Sequence, residues 1–265
     1  MGNDLKVESR YFMLVAERHQ KIVELVNERK SIRVTELSRI FSITEETIRR
    51  DLENLEKQGK LQRSHGGAVS ISSSQGPEVS YLEREIINIK EKRQIAKESV
   101  KLVHEGDRII LDASTTAWYM AKELPDLDMT VLTNSIKVAT ELSAKRNITV
   151  ISTGGVLRTE SLSFIGPLAE ASLDSYHVNK AFISCKGFHV DHGLSESSEQ
   201  QSRVKKKMIN ISDVVYMMID YSKFGIQAFS RLSPIDDIDY IITDSNMTDK
   251  NLQQLKDRSL KVIKT

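Results

Sequence analysis

Acidic and hydroxyl side chains follow a short apolar run near residue 110. The stretch RIILDASTT is typical of a buried strand, followed by Asp112 and then by Ser114, Thr115 and Thr116 at the predicted start of a helix. Backbone N–H groups at a helix start favour anions, and hydroxyl groups add further hydrogen-bond donors. The turn is therefore a candidate phosphate site, which either an enzyme or a receptor could use.

Similar polar residues end the other predicted strands of this region. Short apolar runs alternate with helical stretches from residue 107 onward, which predicts an open α/β domain with a mostly parallel sheet covered on both faces. Ligands bind such domains beyond the carboxyl ends of the strands. Any one cluster is better explained as a loop that caps its helix, but five in one domain favour a shared pocket. The further pocket candidates are Thr133, Asn134, Thr153, Gly154, Gly155, Lys186, Gly187, Asp220 and Lys223.

The N-terminal part of the chain predicts three short amphipathic helices. Ile22 and Val26 lie on the apolar stripe of the first helix, and Leu37 and Phe41 lie on that of the second. The third begins at Thr44, which can cap it, and only two residues separate Thr44 from the end of the second apolar stripe. Three helices with a tight turn before the third indicate a helix-turn-helix.

The third predicted helix and the segment after it carry candidate DNA contacts. Side chains off the apolar stripe of Ile48, Leu52 and Leu55 are free to face outward, and arginine can pair with guanine or hold phosphate. After Gly59, a loosely alternating segment with a Gly-Gly turn predicts a two-stranded wing. An isolated charge run would be a solvated helix face, but the turn before it and the basic wing after it favour DNA binding. The predicted contacts are Glu46, Thr47, Arg49, Arg50, Arg63, His65, Gly66 and Gly67.

These residues resemble the winged helix of the DeoR/GlpR family of bacterial transcriptional regulators. The likeness rests on Arg18, Ile22 and Val26, on TIRRDL from Thr47 and on SHGGAV from Ser64. DASTT, LTN, STGG, SFIGPLAE, KAFISCKGF, VKKKMI and DYSKFG then occur in the order of the family's sensor domain, which is itself similar to the ribose-phosphate isomerase fold. The resemblance covers nearly the whole chain. It implies a repressor of a sugar-catabolism operon, released from operator DNA by a phosphorylated sugar.

The resemblance also implies which residues bind that sugar. It implies that Ser114, Thr115 and Thr116 hold the phosphate, and that the pocket is lined by Asp112, Thr153, Gly154, Gly155, Lys186 and Lys223. Two departures stand out. Ala113 replaces a frequent glycine, and Gln201 stands nearest to a common glutamate, with Glu199 as the alternative residue facing the ligand. Similarity to members with TEETIRRDL and DASTTAWYM suggests a deoxyhexose such as rhamnose, sensed as its ketose phosphate.

An aldose–ketose isomerase is the alternative function for the second domain. Such an enzyme needs a carboxylate base within reach of a carbon-bound proton. In the isomerases that this domain resembles, the strand equivalent to KAFISCKGF ends in paired aspartates, whereas Ser184, Cys185 and Lys186 stand here. Asp112 is the remaining candidate base, and no Walker motif or GxGxxG supports a nucleotide fold. We therefore predict a sensor without catalytic residues.

A metal site is a second alternative. Cys185, His189 and His192 are zinc ligand types and lie close together in CKGFHVDH. Their spacing matches no structural zinc pattern, and both histidines fall in a polar turn. We predict solvated loop histidines, with no metal and no cofactor.

Length and composition predict a soluble, two-domain protein. The 265 residues are 39% hydrophobic and 28% charged, and the net charge of +1 does not by itself indicate a nucleic-acid binder. The single cysteine excludes an intramolecular disulfide and fits a reducing compartment. The sequence lacks a secretory signal and any apolar stretch near the ~20 residues of a membrane span. We predict a cytoplasmic protein.

The serine-rich stretch SISSSQGPEV predicts a linker between two domains. We expect a long charged helix over residues 81–104 to couple them, and a homo-oligomer, either dimer or tetramer, to pair the DNA-binding domains. Met13 is an alternative start. The predicted boundaries are an extension over 1–12, a DNA-binding domain over 13–71, a linker over 72–80 and an effector domain over 81–265.

Overall fold

The computed structural model describes residues 15–29, 31–64, 66–69 and 79–265. The predictions for residues 1–12, for Met13 and for most of the linker lie outside these ranges. The chain divides into two compact units, Met1–Gly76 and Pro77–Thr265. Among the described residues, no helix combines the length and the apolar character that a membrane span requires.

The N-terminal unit packs three helices against a small antiparallel sheet. Its elements are α1 (Val15–Arg29), β1 (Ser31–Arg33), α2 (Val34–Phe41), α3 (Glu45–Lys57), β2 (Gln62–Ser64) and β3 (Gly67–Val69). The helices bury the predicted stripes, including Ile22, Leu37 and Leu52. Ser42, in the left-handed region at φ 54°, ends α2, and Thr44 Oγ1 caps α3 by accepting the N–H of Thr47 at 3.3 Å. The predicted helix-turn-helix is confirmed.

Strands β2 and β3 form the predicted two-stranded wing, and β1 adds a third strand to it. Strand β3 lies between β1 and β2 and pairs antiparallel with both. Strand β1 was not predicted because it is only three residues long and leads directly into α2. Gly67 is required where β3 crosses β1, since a Cβ there would lie 2.3 Å from Ile32 O.

The C-terminal unit is built on a seven-stranded sheet whose pairings are all parallel. Its strands are β4 (Arg108–Leu111), β5 (Met129–Thr133), β6 (Ile148–Ser152), β9 (Val178–Ile183), β12 (Ser212–Met218), β14 (Tyr240–Thr243) and β15 (Lys261–Lys264), in the order β15-β14-β12-β9-β4-β5-β6. Two small antiparallel sheets accompany it, formed by β7 (Val156–Arg158) with β8 (Ser163–Ile165), and by β10 (Gly187–His189), β11 (Gly193–Glu196) and β13 (Ser230–Ser233).

Helices cover both faces of this sheet, so the predicted open α/β domain is confirmed. The helices are α4 (Tyr81–Glu85), α5 (Ile89–Val100), α6 (Thr115–Glu123), α7 (Ile136–Leu142), α8 (Pro167–Leu173), α9 (Glu199–Asn210) and α10 (Asp249–Asp257). Ile110 faces a core shared with α8, α9 and α10, whereas its neighbours Ile109 and Leu111 face a core shared with α5, α6 and α7. Successive side chains of β4 therefore point to opposite faces of the sheet and pack into two separate apolar cores.

The predicted long helix over residues 81–104 was wrong, because two shorter helices occupy that range. Helix α4 ends at Glu85, and Asn88, at φ 52°, precedes α5. The buried Lys92 of α5 donates from Nζ to the carbonyl oxygens of Arg84 and Ile87. These two carbonyl oxygens therefore accept hydrogen bonds from the Lys92 side chain, and this contact stabilises the break between α4 and α5.

Candidate functional site

The start of α3 presents charged side chains away from the buried stripe of the N-terminal unit. The side chains of Glu46, Arg49 and Arg50 are 64%, 52% and 76% exposed. Arg49 pairs with Glu45 at 2.8 Å and with Glu46 at 3.6 Å, and Arg50 Nε lies 3.7 Å from Glu46 Oε1. Exposed pairs within one helix are weak, so the guanidinium groups can exchange these partners for phosphate or guanine.

Three of the predicted wing contacts are described: Arg63 lies in β2, Gly66 in the turn and Gly67 at the start of β3, whereas His65 lies outside the described residues. Arg63 is exposed, and its backbone N–H donates to Glu56 Oε1 at 2.8 Å, which ties the wing to α3. Gly66 adopts φ 85°, a region that favours glycine. The close approach of Gly67 to Ile32 explains that glycine by packing, with or without DNA.

Arg18 and Asp51 join α1 to α3, a role that was not predicted from the sequence. Arg18 donates from Nε and Nη2 to the two Asp51 oxygens at 2.7 and 3.1 Å, and His19 Nε2 lies 2.9 Å from Oδ1. Burial raises the pKa of Asp51, but the hydrogen bonds from Arg18 and His19 outweigh it and hold the pKa below its usual value. Asp51 is therefore charged at neutral pH and helps to position the third helix.

At the carboxyl end of β4, Asp112 and the start of α6 form a rigid turn. Asp112 is fully buried, and its Oδ1 and Oδ2 accept the backbone N–H groups of Ser114 and Ser184 at 3.1 and 2.9 Å. Ser114 Oγ caps α6 by accepting the N–H of Ala117 at 3.0 Å. Thr115 and Thr116, in the first turn, are each 4% exposed. A helix start lined with hydroxyls is a suitable place for a phosphate.

Lys205 of α9, which was not among the predicted site residues, joins this turn to the neighbouring strands. Its Nζ lies 3.0 Å from Asp112 Oδ2, and it donates to Ser184 O at 2.7 Å and to Glu196. Asp112 thus interacts with the backbone N–H groups of Ser114 and Ser184 and with the Lys205 ammonium. Since both of its oxygens are already engaged, Asp112 is poorly placed to accept a proton from carbon.

Gln201, and not Glu199, faces the interior of the C-terminal unit. Gln201 is 3% exposed, and its Nε2 donates to Ser161 Oγ and Ser163 Oγ, both at 2.8 Å. Glu199 is exposed and accepts from Arg203 Nη2 at 2.6 Å. The position two residues earlier therefore points to solvent, and the neutral amide of Gln201 occupies the inward position.

The remaining candidates follow β5 and β6. Thr133 Oγ1 accepts the N–H of Ser135 at 3.0 Å, and Thr133 O accepts the N–H of Thr153 at 3.0 Å. Asn134 is fully buried and donates from Nδ2 to Phe164 O at 3.0 Å. Thr153 is thus joined to the β5 end. The two glycines after it, Gly154 and Gly155, both have positive φ, at 61° and 111°.

Lys186 and Lys223 follow β9 and β12 and are half-buried. The backbone N–H of Lys186 donates to Ser195 O at 3.0 Å. Lys223 closes a 3₁₀ turn capped by the buried Asp220, which accepts the N–H of Ser222 at 2.9 Å. Because parallel strands end at the same edge of the sheet, these two lysines bring positive charge to the carboxyl-end edge of the sheet.

Some buried polar atoms of the C-terminal unit have no hydrogen-bond partner among the described residues, including Tyr81 Oη, Asn134 Oδ1 and Ser202 Oγ. Ser202 precedes Lys205 by one helical turn on α9, and Asn134 directly follows β5. Such unpaired groups are uncommon in protein interiors.

The metal alternative gains no geometric support among the described residues, where no group of three or more potential ligands is close enough to hold an ion. His189 and His192 contact one another, with ring centres 4.6 Å apart. Cys185 is buried, and burial raises the pKa of its thiol to about 12. The neutral thiol is therefore favoured over the thiolate that binds zinc.

Comparisons with known proteins identify both units. The DeoR-like helix-turn-helix domain matches residues 18–74, and the DeoR C terminal sensor domain matches residues 87–245. The chain is 60% identical to the HTH-type transcriptional regulator YulB of Bacillus subtilis, over 94% of this chain and 96% of that protein. It is 38% identical to the L-fucose operon activator of Haemophilus influenzae, over 89% and 94% of the two chains. It is also 32% identical to a putative aga operon transcriptional repressor of Escherichia coli, over 94% and 93%.

Among solved structures, ribose 5-phosphate isomerase A of Methanocaldococcus jannaschii is 20% identical, with a TM-score of 0.38 and coverage of 50% of this chain and 53% of that one. The relatives described above are named as transcriptional regulators, which confirms the prediction of a regulator and not an enzyme. The chain belongs to the DeoR family of transcriptional regulators.

Proposed function

We propose that this regulator represses a sugar-catabolism operon and leaves its operator when a phosphorylated sugar binds to the sensor domain. The observation that carries this proposal is the hydroxyl-lined start of α6, where Ser114, Thr115 and Thr116 are buried beside Asp112. This helix start lies in the same chain as a helix-turn-helix with exposed arginines. A protein that senses and does not react needs the anion site but no base.

In this proposal the phosphate binds at the start of α6. Backbone N–H groups and the hydroxyls of Thr115 and Thr116 donate to its oxygens, while Ser114 keeps the helix capped. Lys186 and Lys223 add positive charge from the neighbouring strand ends. The sugar then extends toward the other pocket candidates, which are Asp112, Thr133, Asn134, Thr153, Gly154 and Gly155.

The operator is bound through α3 and the wing. Thr47, Arg49 and Arg50 lie at the start of α3, which enters the major groove in helix-turn-helix proteins. Glu46 positions both arginines, and the wing adds Arg63, His65, Gly66 and Gly67. One such module makes few phosphate contacts, so a homo-oligomer that engages repeated half-sites supplies the affinity.

Release requires that the sugar phosphate bind one conformational state better than the other. If the better-binding state holds the DNA-binding domains at the wrong spacing, the ligand shifts the population away from DNA. The relative named as an operon activator supports a second direction of control, in which the liganded state binds DNA and promotes transcription. Both directions use the same two sites.

The decisive experiment combines ligand screening with DNA binding. The full chain is screened by thermal shift against ribose 5-phosphate, fructose 1-phosphate, rhamnulose 1-phosphate, glucose 6-phosphate and inorganic phosphate. A ligand at 100 times its Kd stabilises the folded state by about 2.7 kcal/mol, which raises Tm measurably. A stabilising sugar phosphate that also releases DNA upstream of the chain's own operon supports repression. A sugar phosphate that strengthens DNA binding supports activation, and no response to any sugar phosphate rejects the sensing role.

A further inference from the structure

Strand β6 forms one free edge of the seven-stranded sheet, since β5 is the strand with which it pairs in the described part of the chain. The backbone N–H of Thr153, directly after β6, donates to Thr133 O of β5. Backbone groups of successive residues point to alternate sides of a strand. The N–H and C=O groups of Ile148, Val150 and Ser152 therefore point away from β5, and no described residue pairs with them.

The two edges of this sheet differ in charge. Strand β15, at the other edge, carries Lys261 and Lys264, and lysines on an edge strand discourage pairing with another chain. The run NITVISTGG, residues 147–155, includes all of β6 and contains no charged side chain. Of the two edges, that of β6 therefore lacks the charges that oppose pairing.

A second copy of the chain is the partner that suits this edge. When a strand pairs antiparallel with its own copy about a two-fold axis, its residues meet residues of the same strand, so a charged strand would repel itself. An axis at Val150 sets Val150 opposite its own copy and Ile148 opposite the Ser152 of the second copy, with no charged pair. Since these residues direct their backbone groups outward, this register forms hydrogen bonds along the whole strand.

Exposed apolar side chains close to β6 enlarge the surface available to that partner. Val156, at the start of β7, is 64% exposed, and Leu168, near the start of α8, is 73% exposed. A Cβ on Gly166, which directly precedes α8, would lie 3.9 Å from Val156 Cγ2. A stable interface buries about 800 Å² on each partner, and these side chains add apolar area to the strand edge.

We propose that two copies of the sensor domain associate by antiparallel pairing of their β6 strands about a two-fold axis at Val150. This proposal rests on the homo-oligomer of the proposed function and adds the surface that forms it. It also connects the interface with the ligand, because β6 leads directly into the pocket candidates Thr153, Gly154 and Gly155. A sugar phosphate that contacts these residues acts on the strand that joins the two copies, and so on the spacing of the paired chains.

Substitution Val150→Pro tests the pairing in the full-length protein. Proline removes the outward N–H of residue 150, and an edge strand tolerates proline where that N–H faces solvent. Both hydrogen bonds at the axis are lost, so we expect the dissociation constant of the pair to rise at least about 10-fold in sedimentation equilibrium. Val150→Ala, which shortens the same side chain and keeps the N–H, should raise the constant less than the proline does.

Val262→Pro is the matched control at the β15 edge. The N–H of Thr265 donates to Thr243 O of β14, so by the same alternation Val262 directs its N–H outward. Both valines are half-buried in edge strands, which makes the two substitutions comparable in their effect on the fold. Val262→Pro should leave association unchanged. A loss as large as that in Val150→Pro would overturn the choice of the β6 edge.

Hydrogen exchange of the wild-type protein tests the register without a substitution. Amide exchange, followed residue by residue by NMR, should slow at Ile148, Val150 and Ser152 as the concentration rises through the dissociation constant. Thr149 and Ile151, whose N–H groups face β5, should change little. Protection of Val150 at concentrations where the protein is monomeric would show that another segment of the chain covers the edge, and would overturn the proposal.

The remaining outcomes separate this proposal from the proposed function. An oligomer that withstands Val150→Pro overturns the β6 interface alone, and the response of wild-type protein to sugar phosphates still tests the sensing role. Wild-type protein that stays monomeric at every concentration overturns the interface and the homo-oligomer together. If Val150→Pro does not fold, the exchange pattern of the wild-type protein decides, and exchange at Val150 that is independent of concentration overturns the pairing.

Discussion

Lys205 Nζ lies 3.0 Å from Asp112 Oδ2 in the interior of the sensor domain. Burial acts to lower the pKa of Lys205, but the charges of Asp112 and Glu196 outweigh it and raise the pKa above its usual value. The ammonium therefore stays charged and holds α9 to the ends of β4 and β9 through Asp112 and Ser184 O. This ion group keeps the turn before α6 in place, so the geometry of the candidate phosphate site depends on it.

Substitution Lys205→Met should destabilise the sensor domain strongly. It removes the cation and leaves Asp112 and Glu196 buried with no neutralising charge, a change that typically costs about 3–5 kcal/mol. Urea unfolding monitored by circular dichroism measures the loss. Lys206→Met, at the exposed neighbouring position, is the control and should change stability by less than about 0.5 kcal/mol. Equal stability of the two variants would contradict the structural role of Lys205.

Asp51 makes the stability of the N-terminal unit depend on pH. Although burial raises its pKa, the hydrogen bonds from Arg18 and His19 lower the pKa below its usual value in the folded protein. A carboxyl with a lowered folded pKa stabilises the protein above its unfolded pKa, and that stability is lost as pH falls through the folded pKa. Asp51→Asn should therefore cost about 1–2 kcal/mol at pH 7 and progressively less below pH 4.

Hydrogen exchange in α1 and α3, corrected for intrinsic rates, measures this effect between pH 7 and pH 3.5. Glu24→Gln, which changes an exposed carboxylate of α1 that accepts from Gln20, is the control and should have little effect at any pH. A destabilisation by Asp51→Asn that is the same at pH 7 and pH 3.5 would rule out the charged pair as its cause.

Elements with a clean apolar period were predicted from sequence, whereas those made by tertiary contacts were not. The stripe of Ile48, Leu52 and Leu55 identifies α3 because all three side chains are buried as the helical period requires. The break before Asn88 has no such signal. Asn88 donates from Nδ2 to Asp220 Oδ1 at 3.2 Å, a contact across 132 residues that no local pattern reveals.

The strand-end rule predicted much of the candidate site, but it missed residues on helices. Lys205 lies in the run VKKKMI, where three consecutive lysines suggest a solvated basic face. The neighbouring Val204 and Met208 mark the buried side of α9, and Gln201, one turn before Lys205, lies on that side too. Helical periodicity could therefore have separated Lys205 from Lys206. Its partner Asp112 lies 93 residues earlier in the chain, beyond the reach of any local pattern, whereas Glu196 ends the strand that precedes α9.

Arg49 and Arg50 should each contribute to operator binding. Their guanidinium groups are exposed, and exposed pairs within a helix such as Arg49–Glu45 contribute only about 0.3–0.5 kcal/mol, so DNA can displace them readily. Arg49→Ala and Arg50→Ala should each weaken binding roughly 10-fold in a gel-shift assay. Replacing an arginine that holds phosphate should also reduce, by about 1, the slope of log affinity against log salt concentration.

Lys57→Ala is the matched control for these two substitutions. Lys57 is an exposed cation at the other end of α3 and pairs with Glu53 at 2.8 Å. Its replacement removes the same charge without touching the start of the helix. Operator affinity that is unchanged in both arginine variants would refute the assignment of α3 as the recognition helix.

The paired substitution Thr115→Ala with Thr116→Ala should uncouple the regulator from its effector. Both threonines are buried residues in the first turn of α6, and a hydrogen bond to a charged phosphate is stronger than one to a neutral group. We expect sugar-phosphate affinity to fall at least about 10-fold, while operator affinity without ligand is unchanged. Gel-shift titration of the operator complex with the sugar phosphate measures both quantities, and release at the wild-type concentration would contradict the phosphate assignment.

The choice of the two threonines follows from the different role of Ser114. Ser114 Oγ accepts the N–H of Ala117, so Ser114→Ala would lose a helix cap as well as any ligand contact, and the two effects could not be separated. Replacing Thr115 and Thr116 leaves that cap intact. Thr140→Ala with Thr149→Ala, which removes two exposed hydroxyls from the same domain, is the control. Loss of effector response in the first pair alone assigns the effect to the start of α6.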